Sequence, residues 1–220
     1  MRIAKLGITA LALVLALTAC KKEAETAAPG TSKAPAVNYF GPDRYGKLTL
    51  GMTEPAALAT GDLQTAPVAT VLGKNVYSYP DGPKPDPKRM AADEKIEKDV
   101  AKADSGGFGD SAEGSAKAAK AYADSTQRLT DRLIAYLTNG GATFQDGKLT
   151  SIAAPAGAVT DAGVKRGSTE AEVLTAYQSK GLKSEGKSAF SVPVAGQDGW
   201  TLLLEMDAGK VAYMSLGRAE

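Results

Sequence analysis

Apolar residues recur with helical spacing in three parts of the chain. The longest such stretch covers 116–138, where one helical face collects Ala119, Tyr122, Thr126, Leu129, Leu133, Ile134 and Leu137. The Asn-Gly-Gly sequence at 139–141 predicts the end of this helix. Shorter helices are predicted over 54–60, ending at Gly61, and over 169–180.

Strands are predicted where β-branched and aromatic residues alternate with polar ones. An Asp-Gly pair at 146–147 indicates a tight hairpin, and a turn at 207–209 predicts another between the last two strands. The predicted strand segments are 47–50, one or two strands within 68–79, 143–144, 149–152, 188–194, 200–206 and 211–216. These elements predict an α+β fold, in which helices pack on an antiparallel sheet.

Composition divides the chain into five segments. The stretch 81–115 is rich in proline, charge and glycine, and it predicts a flexible low-complexity insertion whose charged part forms at most a solvated helix with little to pack on. The predicted organisation is a signal peptide at 1–19, Cys20 with a disordered linker at 20–38, a first helix–sheet unit at 39–80, the insertion at 81–115, and a helix plus a second helix–sheet unit at 116–220.

One local pattern occurs twice. Aligning 45–61 with 161–177 pairs Gly51 with Gly167, Thr53 with Thr169, Glu54 with Glu170 and Leu58 with Leu174. Glycine permits a sharp exit from a strand, and a threonine hydroxyl can cap the first amides of a helix. Thr169 and Glu172 form a Thr-x-x-Glu capping box. The repetition predicts two related helix–sheet units.

The Leu-Gly-Met-Thr sequence at 50–53 and the Gly-Ser-Thr sequence at 167–169 carry a resemblance to known proteins. Each precedes a helix, as in the G-M-T-x-x-E-V element of small bacterial secreted proteins. That group includes the small lipoprotein of the outer-membrane β-barrel assembly machinery, the β-lactamase inhibitor proteins and actinobacterial lipoproteins. The resemblance implies a helix-and-sheet module that binds another protein. It carries no inhibitory role to individual residues, because the inhibitor units have disulfides that a single cysteine cannot form.

The first twenty residues are typical of an export signal. Arg2 and Lys5 precede a short apolar segment, which is too short for an ordinary membrane span. The sequence Leu-Thr-Ala-Cys at 17–20 resembles the bacterial lipobox, which predicts acylation of Cys20 after cleavage. The protein would then be extracytoplasmic and anchored to the bacterial cell membrane through this lipid. The alternative is an ordinary signal peptide with a chance cysteine.

Charge and composition limit the kinds of partner and catalytic site that the chain can have. Two of the 26 Lys and Arg residues lie in the signal segment, which leaves 24 against 25 Asp and Glu, interspersed along the chain. This balance argues against a nucleic-acid partner. The chain has no histidine, and its one cysteine is assigned to lipid. The commonest general base, the usual zinc ligands and a cysteine nucleophile are therefore missing, and we expect no cofactor, no metal and no enzymatic activity.

The segment from Gly181 to Ser188 matches the G-x-x-x-x-G-K-[ST] phosphate-loop pattern. A nucleotide-binding protein or enzyme centred on this segment is therefore an alternative function. The chemistry requires a strand before the loop and a helix after it, whereas the predicted order here is helix first and strand second. Ser184 and Lys187 also match a serine–lysine pair, but the companion motifs of penicillin-recognising enzymes are missing.

Two carboxylate groupings have weaker support. Asp104, Asp110 and Glu113 could approach a calcium ion, but their spacing does not match the EF-hand pattern. Glu205 and Asp207 lie two residues apart on a predicted strand, as a pair for acid–base work would. A solvated loop and a turn residue explain these groupings more simply.

Four aromatic residues on predicted strands are candidates for a partner surface. Large amphipathic rings dominate binding hot spots, although most rings on such strands lie in the core. The candidates are Trp200, Tyr213, Tyr77 and Tyr79. The sequence thus predicts a membrane-anchored, non-catalytic protein-binding lipoprotein, with the nucleotide-binding protein and a structural envelope lipoprotein as alternatives.

Overall fold

A computed structural model of the chain describes residues 39–218. The predicted signal peptide, Cys20 and linker therefore lie outside the described residues. The helices are α1 (Glu54–Ala59), α2 (Pro87–Asp104), α3 (Ala112–Asn139) and α4 (Glu170–Tyr177), which a 3-10 helix (Gln178–Lys180) extends. The strands are β1 (Tyr39–Phe40), β2 (Arg44–Tyr45), β3 (Leu48–Thr49), β4 (Ala69–Val71), β5 (Lys74–Tyr77), β6 (Gly141–Gln145), β7 (Lys148–Ala153), β8 (Val159–Thr160), β9 (Lys183–Ser184), β10 (Ala189–Pro193), β11 (Trp200–Asp207) and β12 (Lys210–Arg218).

An antiparallel sheet of eight strands forms the body of the described chain. Its strand order is β4-β5-β6-β7-β12-β11-β10-β9, so two runs of four consecutive strands meet where β7 pairs with β12. A smaller sheet has the order β3-β2-β1-β8, and in it β1 runs parallel to β8. The α+β class is confirmed. The structure repeats a helix with a run of four strands, but β6 and β7 belong to the first run, so the bounds predicted for the two units, 39–80 and 116–220, are wrong. The two units share one sheet.

Each unit attaches its helix start to the tip of a hairpin in the same way. In the first unit the Glu54 amide donates to the Gly147 carbonyl oxygen at 2.9 Å. In the second unit the Glu170 amide donates to the Gly209 carbonyl oxygen at 3.1 Å. The glycines belong to the β6–β7 and β11–β12 turns. These bonds satisfy an amide that a helix start would leave free, and they show that the sequence repeat corresponds to a repeated structure.

The two helix starts differ in their caps. Thr169 accepts a hydrogen bond from the Glu172 amide, and the Glu172 carboxylate accepts one from the Thr169 amide, so the predicted capping box is present. Thr53 occupies the same position before α1, but its side chain makes no capping bond. Gly51 and Gly167 precede the two threonines with φ of +78° and +86°, where a glycine adopts the turn without a steric penalty.

We expect Thr169→Ala to lower the free energy of unfolding by about 1 kcal/mol, because the first turn of α4 loses its capping bonds. Thr53→Ala is the matched control and should change it much less. Urea unfolding of both variants measures the difference. Equal losses in the two variants would contradict this account of the caps.

The core lies on one face of the large sheet, beneath α1, α4 and the small sheet. Ala57 of α1 and Val173 and Tyr177 of α4 are buried there against strand residues of both units. The fully buried strand side chains include Phe40, Leu48, Phe144, Leu149, Ile152, Leu204, Val211, Met214 and Leu216. Burial of these apolar side chains supplies most of the folding free energy.

Helices α2 and α3 form a hairpin on the opposite face of the sheet. Ile152 faces the core. The hydroxyl oxygen of its neighbour Ser151 accepts a 2.9 Å hydrogen bond from the Tyr136 hydroxyl of α3, so α3 lies over the second face. The hairpin is inserted between β5 and β6. In the described residues no helix is long and apolar enough to cross a membrane.

The segment 81–115 contains a packed helix. Helix α2 contacts α3 and β4, so the expectation that it has little to pack on is wrong. Buried Asp93 accepts two 2.8 Å hydrogen bonds from Arg132 of α3, and its carbonyl oxygen accepts another from buried Arg128 at 2.9 Å. Charged residues form this contact, and for that reason the sequence pattern resembles a solvated helix.

The end of α3 is attached to the second unit. Gly140 ends the helix with φ of +75°, as the sequence predicts. Arg166, which follows β8, donates to the carbonyl oxygens of Leu137, Thr138 and Ala154 at 2.6–2.9 Å. The guanidinium therefore satisfies two of the last carbonyls of the helix and fixes its end over the sheet.

Candidate functional site

An open groove lies between the second half of α3 and the sheet face that α3 covers. We call it the helix–sheet groove; its volume is about 650 Å³. Val76, Thr143, Ser151 and Gly217 are cross-strand neighbours on β5, β6, β7 and β12 and form its floor. The other lining residues come from the β4–β5 hairpin, α3 and the strand ends: Val71, Leu72, Lys74, Leu129, Arg132, Leu133, Tyr136, Gln145, Thr150 and Arg218.

The helical wall of the groove is held in place at two points. The Tyr136 hydroxyl is hydrogen-bonded to Ser151 at 2.9 Å, and burial raises the pKa of this phenol to about 12, so it stays neutral. One turn earlier, Arg132 is held by both oxygens of Asp93. The first bond joins α3 to the sheet, and the second joins α3 to α2, which itself contacts β4, so the groove is pre-formed.

Two leucines form the rims of the groove and extend into solvent. Leu72, in the β4–β5 turn, is 67% exposed, and Leu133, on α3, is 56% exposed. Of the seven residues that the helical pattern placed on one face, only Leu137 is buried and Leu129 is half-buried. The other five are exposed, so the face that the pattern selects is mostly not the face that packs: Ala119, Tyr122, Thr126, Leu133 and Ile134. Large exposed apolar side chains grouped around a concave surface are typical of interaction sites.

Leu72 also has an unfavourable backbone conformation. Its φ is +50°, in the left-handed region, where a branched side chain costs about 1–2 kcal/mol. The turns of β6–β7 and β11–β12 carry Asp146 and Ala208 in the same conformation. Two-residue turns of this kind favour Asn, Asp or Gly at that position, so a leucine there has no local structural advantage.

Three of the four aromatic candidates for a partner surface are core residues. Trp200, Tyr77 and Tyr79 are each less than 10% exposed, so assigning them to a surface is wrong. Tyr77 lies opposite Ala142 on the core face of the sheet. Successive side chains of β5 point to opposite faces, and this alternation places the Tyr77 ring in the core. Tyr213 is half-buried, and the Arg166 guanidinium lies 5.4 Å from the centre of its ring.

The segment from Gly181 to Ser188 contains the short strand β9 and the turn that leads into β10. The 3-10 helix ends at Lys180, Gly181 is left-handed, and β9 then pairs with β10. The Ser184 hydroxyl donates to the Gly186 carbonyl oxygen at 2.9 Å, and a strand follows Ser188. A phosphate loop needs a helix at this point, whose first amides would bind the phosphate. The geometry therefore gives no support to nucleotide binding here.

Two of the three acidic insertion residues are engaged in local contacts, and the third, Asp110, is exposed. Asp104 accepts a 2.8 Å hydrogen bond from the Tyr122 hydroxyl, and Glu113 pairs with Lys117 at 2.6 Å. Residues 39–218 contain no group of three side chains that could hold a metal ion.

The carboxylate pair on β11 is divided between two environments. Asp207 is exposed and lies opposite Lys210 in the strand register, where β11 turns into β12. Glu205 is half-buried on the strand, and desolvation raises its pKa. Turn chemistry accounts for Asp207, so the geometry gives no support to a shared acid–base task.

Searches against protein-family models, curated proteins and solved structures found no match to this chain. The resemblance to lipoproteins therefore stays a prediction from the sequence. The geometry of the helix–sheet groove is the basis for a functional proposal.

Proposed function

We infer that this protein is a membrane-anchored extracytoplasmic lipoprotein whose body is a non-catalytic protein-binding module. In this proposal, a protein partner docks on the helix–sheet groove and covers Leu72 and Leu133 with apolar side chains. One observation supports it most directly: an exposed leucine is held in a strained turn at the rim of a pre-formed groove. The lipobox at Cys20 supports the membrane anchor.

The strain at Leu72 favours a binding role. The side chain is two-thirds exposed, so its burial within this chain does little to offset the cost of the turn. Strained backbone positions cluster at sites where binding uses the side chain they present. A partner that buries Leu72 would recover the apolar burial that the free protein lacks.

The rim residues favour a protein over a small ligand. A small molecule filling the groove would leave most of Leu72 and Leu133 in water, because these side chains extend outward from it. A protein surface can cover the rims and the floor together, and apolar anchors surrounded by polar contacts dominate such interfaces. Thr143 and Ser151 on the floor and the flanking Arg218 supply polar contacts around these anchors.

Site-specific photocrosslinking in intact cells tests the proposal. A photoreactive residue at position 72 or 133 should give the same discrete protein adduct, whereas position 174 should not. Leu174 is the matched control, because it is a leucine on α4 with 41% exposure and lies outside the groove. Adducts at all three positions, adducts with lipid alone, or no adduct under varied growth conditions would overturn the proposal. The last result would favour a structural envelope lipoprotein.

We expect Leu72→Asn to stabilise the protein and to abolish the adduct formed through position 133. The substitution creates an Asn-Gly turn, which adopts the left-handed conformation readily, so the free energy of unfolding should rise by about 1 kcal/mol. Thermal unfolding should shift upward by about 2–4 °C in a chain of this size. Leu174→Asn should leave crosslinking unchanged. A stabilised variant that still crosslinks at full yield would contradict the role of Leu72.

A further inference from the structure

Helix α3 has an exposed face that carries no charge. Six residues at alternating spacings of three and four form the centre of this face, and each of them is exposed: Ala116, Ala119, Ala123, Thr126, Thr130 and Leu133. The charged residues of the helix lie outside the face, and Arg128 and Arg132 contact α2 on the other side. We call the six residues the outer seam of α3.

The spacing of the outer seam suits a second helix. An average interval of 3.5 residues is the repeat through which one helix packs along another. Exposed helix faces usually carry charged residues, whereas the outer seam runs for about 25 Å of helix without one. The apolar periodicity of the sequence at 116–138 therefore describes a face that this chain leaves uncovered.

The large apolar side chains lie at one end of the seam. Leu133 is 56% exposed and its neighbour Ile134 is 53% exposed, whereas the other end consists of the alanines at 116, 119 and 123. Close packing of two helices requires that a large side chain of one faces a small side chain of the other. Two copies of α3 meet this requirement when they run antiparallel, because the leucine end of each then lies against the alanine end of the other.

The charges beside the seam favour the same orientation. Lys117 and Lys120 flank its first half, and Asp131 flanks the end of its second half. An antiparallel pair brings Asp131 of one copy to the lysines of the other, whereas a parallel pair would place like charges together. Both lysines also form exposed pairs within their own helix at 2.6 Å, with Glu113 and Asp124, and such pairs cost little to exchange.

We propose that the outer seam binds a second copy of this chain, with α3 antiparallel to α3 about a twofold axis between Ala123 and Thr126. Such an interface uses the same surface on both copies, so the steric match and the charge match each occur twice. The proposal goes beyond the proposed protein-binding groove. Leu133 borders both surfaces, whereas Leu72 belongs to the groove alone.

Thiol crosslinking of the full-length protein in cell membranes tests this pairing. Ala123→Cys places a thiol beside the twofold axis, so a short bis-maleimide should convert most of it to a species of twice the chain mass. Ala101→Cys, at an exposed alanine of α2, is the matched control and should remain a monomer, as should the parent with Cys20 alone. Equal yields at 101 and 123, a product of any other mass, or no product would overturn the proposal.

A charge reversal tests the orientation. Asp131→Lys should lower the dimer yield of Ala123→Cys severalfold, because it sets three cations against one another at each end of the seam. Adding Lys117→Asp and Lys120→Asp to this variant should restore the yield, which a loss of folding would not do. The three positions are exposed, so thermal unfolding should change little. An unchanged yield in Asp131→Lys, or no recovery in the combined variant, would contradict the antiparallel arrangement.

A charge within the seam separates this inference from the groove. Ala119→Glu should abolish the dimer, and Ala101→Glu is the matched control that should keep it, since both glutamates occupy exposed helical positions. Adducts formed through position 72 should be the same in both variants. A dimer that persists in Ala119→Glu would contradict the seam, whereas loss of the adduct at 72 in the parent protein would count against the groove alone.

Discussion

Replacing Cys20 by Ser is expected to release the protein from the membrane fraction completely. The proposed anchor depends on acyl chains joined to this sulfur, and each buried methylene contributes about 0.8 kcal/mol to membrane binding. A serine hydroxyl accepts no thioether-linked lipid. Cell fractionation with metabolic labelling by an acyl precursor measures both consequences, and Ser32→Ala, in the same segment, is the matched control and should remain membrane-bound and labelled.

Two results would contradict the lipid anchor. One is full membrane retention of Cys20→Ser together with no acyl label in the parent protein. The other is an intact, unacylated amino terminus on parent protein recovered from the cytosol. The second result would also remove the extracytoplasmic address, and the crosslinking at positions 72 and 133 would then have to be repeated in the cytosol.

Asp93→Ala is expected to destabilise the protein by about 3–5 kcal/mol, because it leaves the partly buried Arg132 guanidinium without its counter-ion. Both side chains lie between α2 and α3, where water cannot replace the lost bonds fully. Urea unfolding measures the change. Asp99→Ala on the same helix is the matched control, since its pair with Lys95 is exposed and its loss should cost about 0.5 kcal/mol or less.

An apolar replacement of the whole pair should recover most of this loss. In Asp93→Leu with Arg132→Met, no buried charge is left unpaired, and such exchanges are often neutral or stabilising. The double variant also removes one attachment of α3 beside the helix–sheet groove, so crosslinking through Leu72 should fall even where stability is restored. Equal, small losses for Asp93→Ala and Asp99→Ala would show that the α2–α3 contact does not depend on this pair.

Local elements of this fold can be predicted from the sequence because their signals are local. The spacing at 116–138, the glycine at 140 and the Asp-Gly turn at 146–147 each correspond to the observed helix, helix end and hairpin. The aligned segments at 45–61 and 161–177 correspond to two similar helix starts. The repeat does not reveal that β7 pairs with β12, because pairing between strands more than sixty residues apart, such as Ser215 with Ala153, leaves no periodic signal in the sequence.

The packing of α2 is a failure of hydrophobic patterning. Helix contacts are usually predicted from an apolar stripe, and α2 has a weak one. Its contact with α3 is made by Asp93 bonded to Arg132 and by Arg128 near Glu97. A helix with a solvated charged face and a helix that packs through buried ion pairs have the same residue composition. The sequence therefore favoured the solvated helix, which is the commoner of the two.

The groove was missed for a different reason. Leu72 precedes a glycine between two strand patterns, and this leucine in a two-residue turn was the available signal. Attention to aromatic residues placed the expected surface on Trp200 and Tyr77, which alternation directs into the core. An aromatic residue on a strand indicates burial more often than binding. A large apolar residue in a tight turn has no role in core packing, so it indicates a binding role more directly.

The small sheet determines how the protein would respond to mechanical load. Strand β1 contributes two residues to its pairing with β8 and one pair to β2, and it begins at Tyr39. Tension applied to the chain ahead of Tyr39 would therefore be resisted first by these few backbone bonds. Strand β1 would separate from β8 and β2 before force reaches any strand of the large sheet. The large sheet would then stay folded while the chain ahead of it extends.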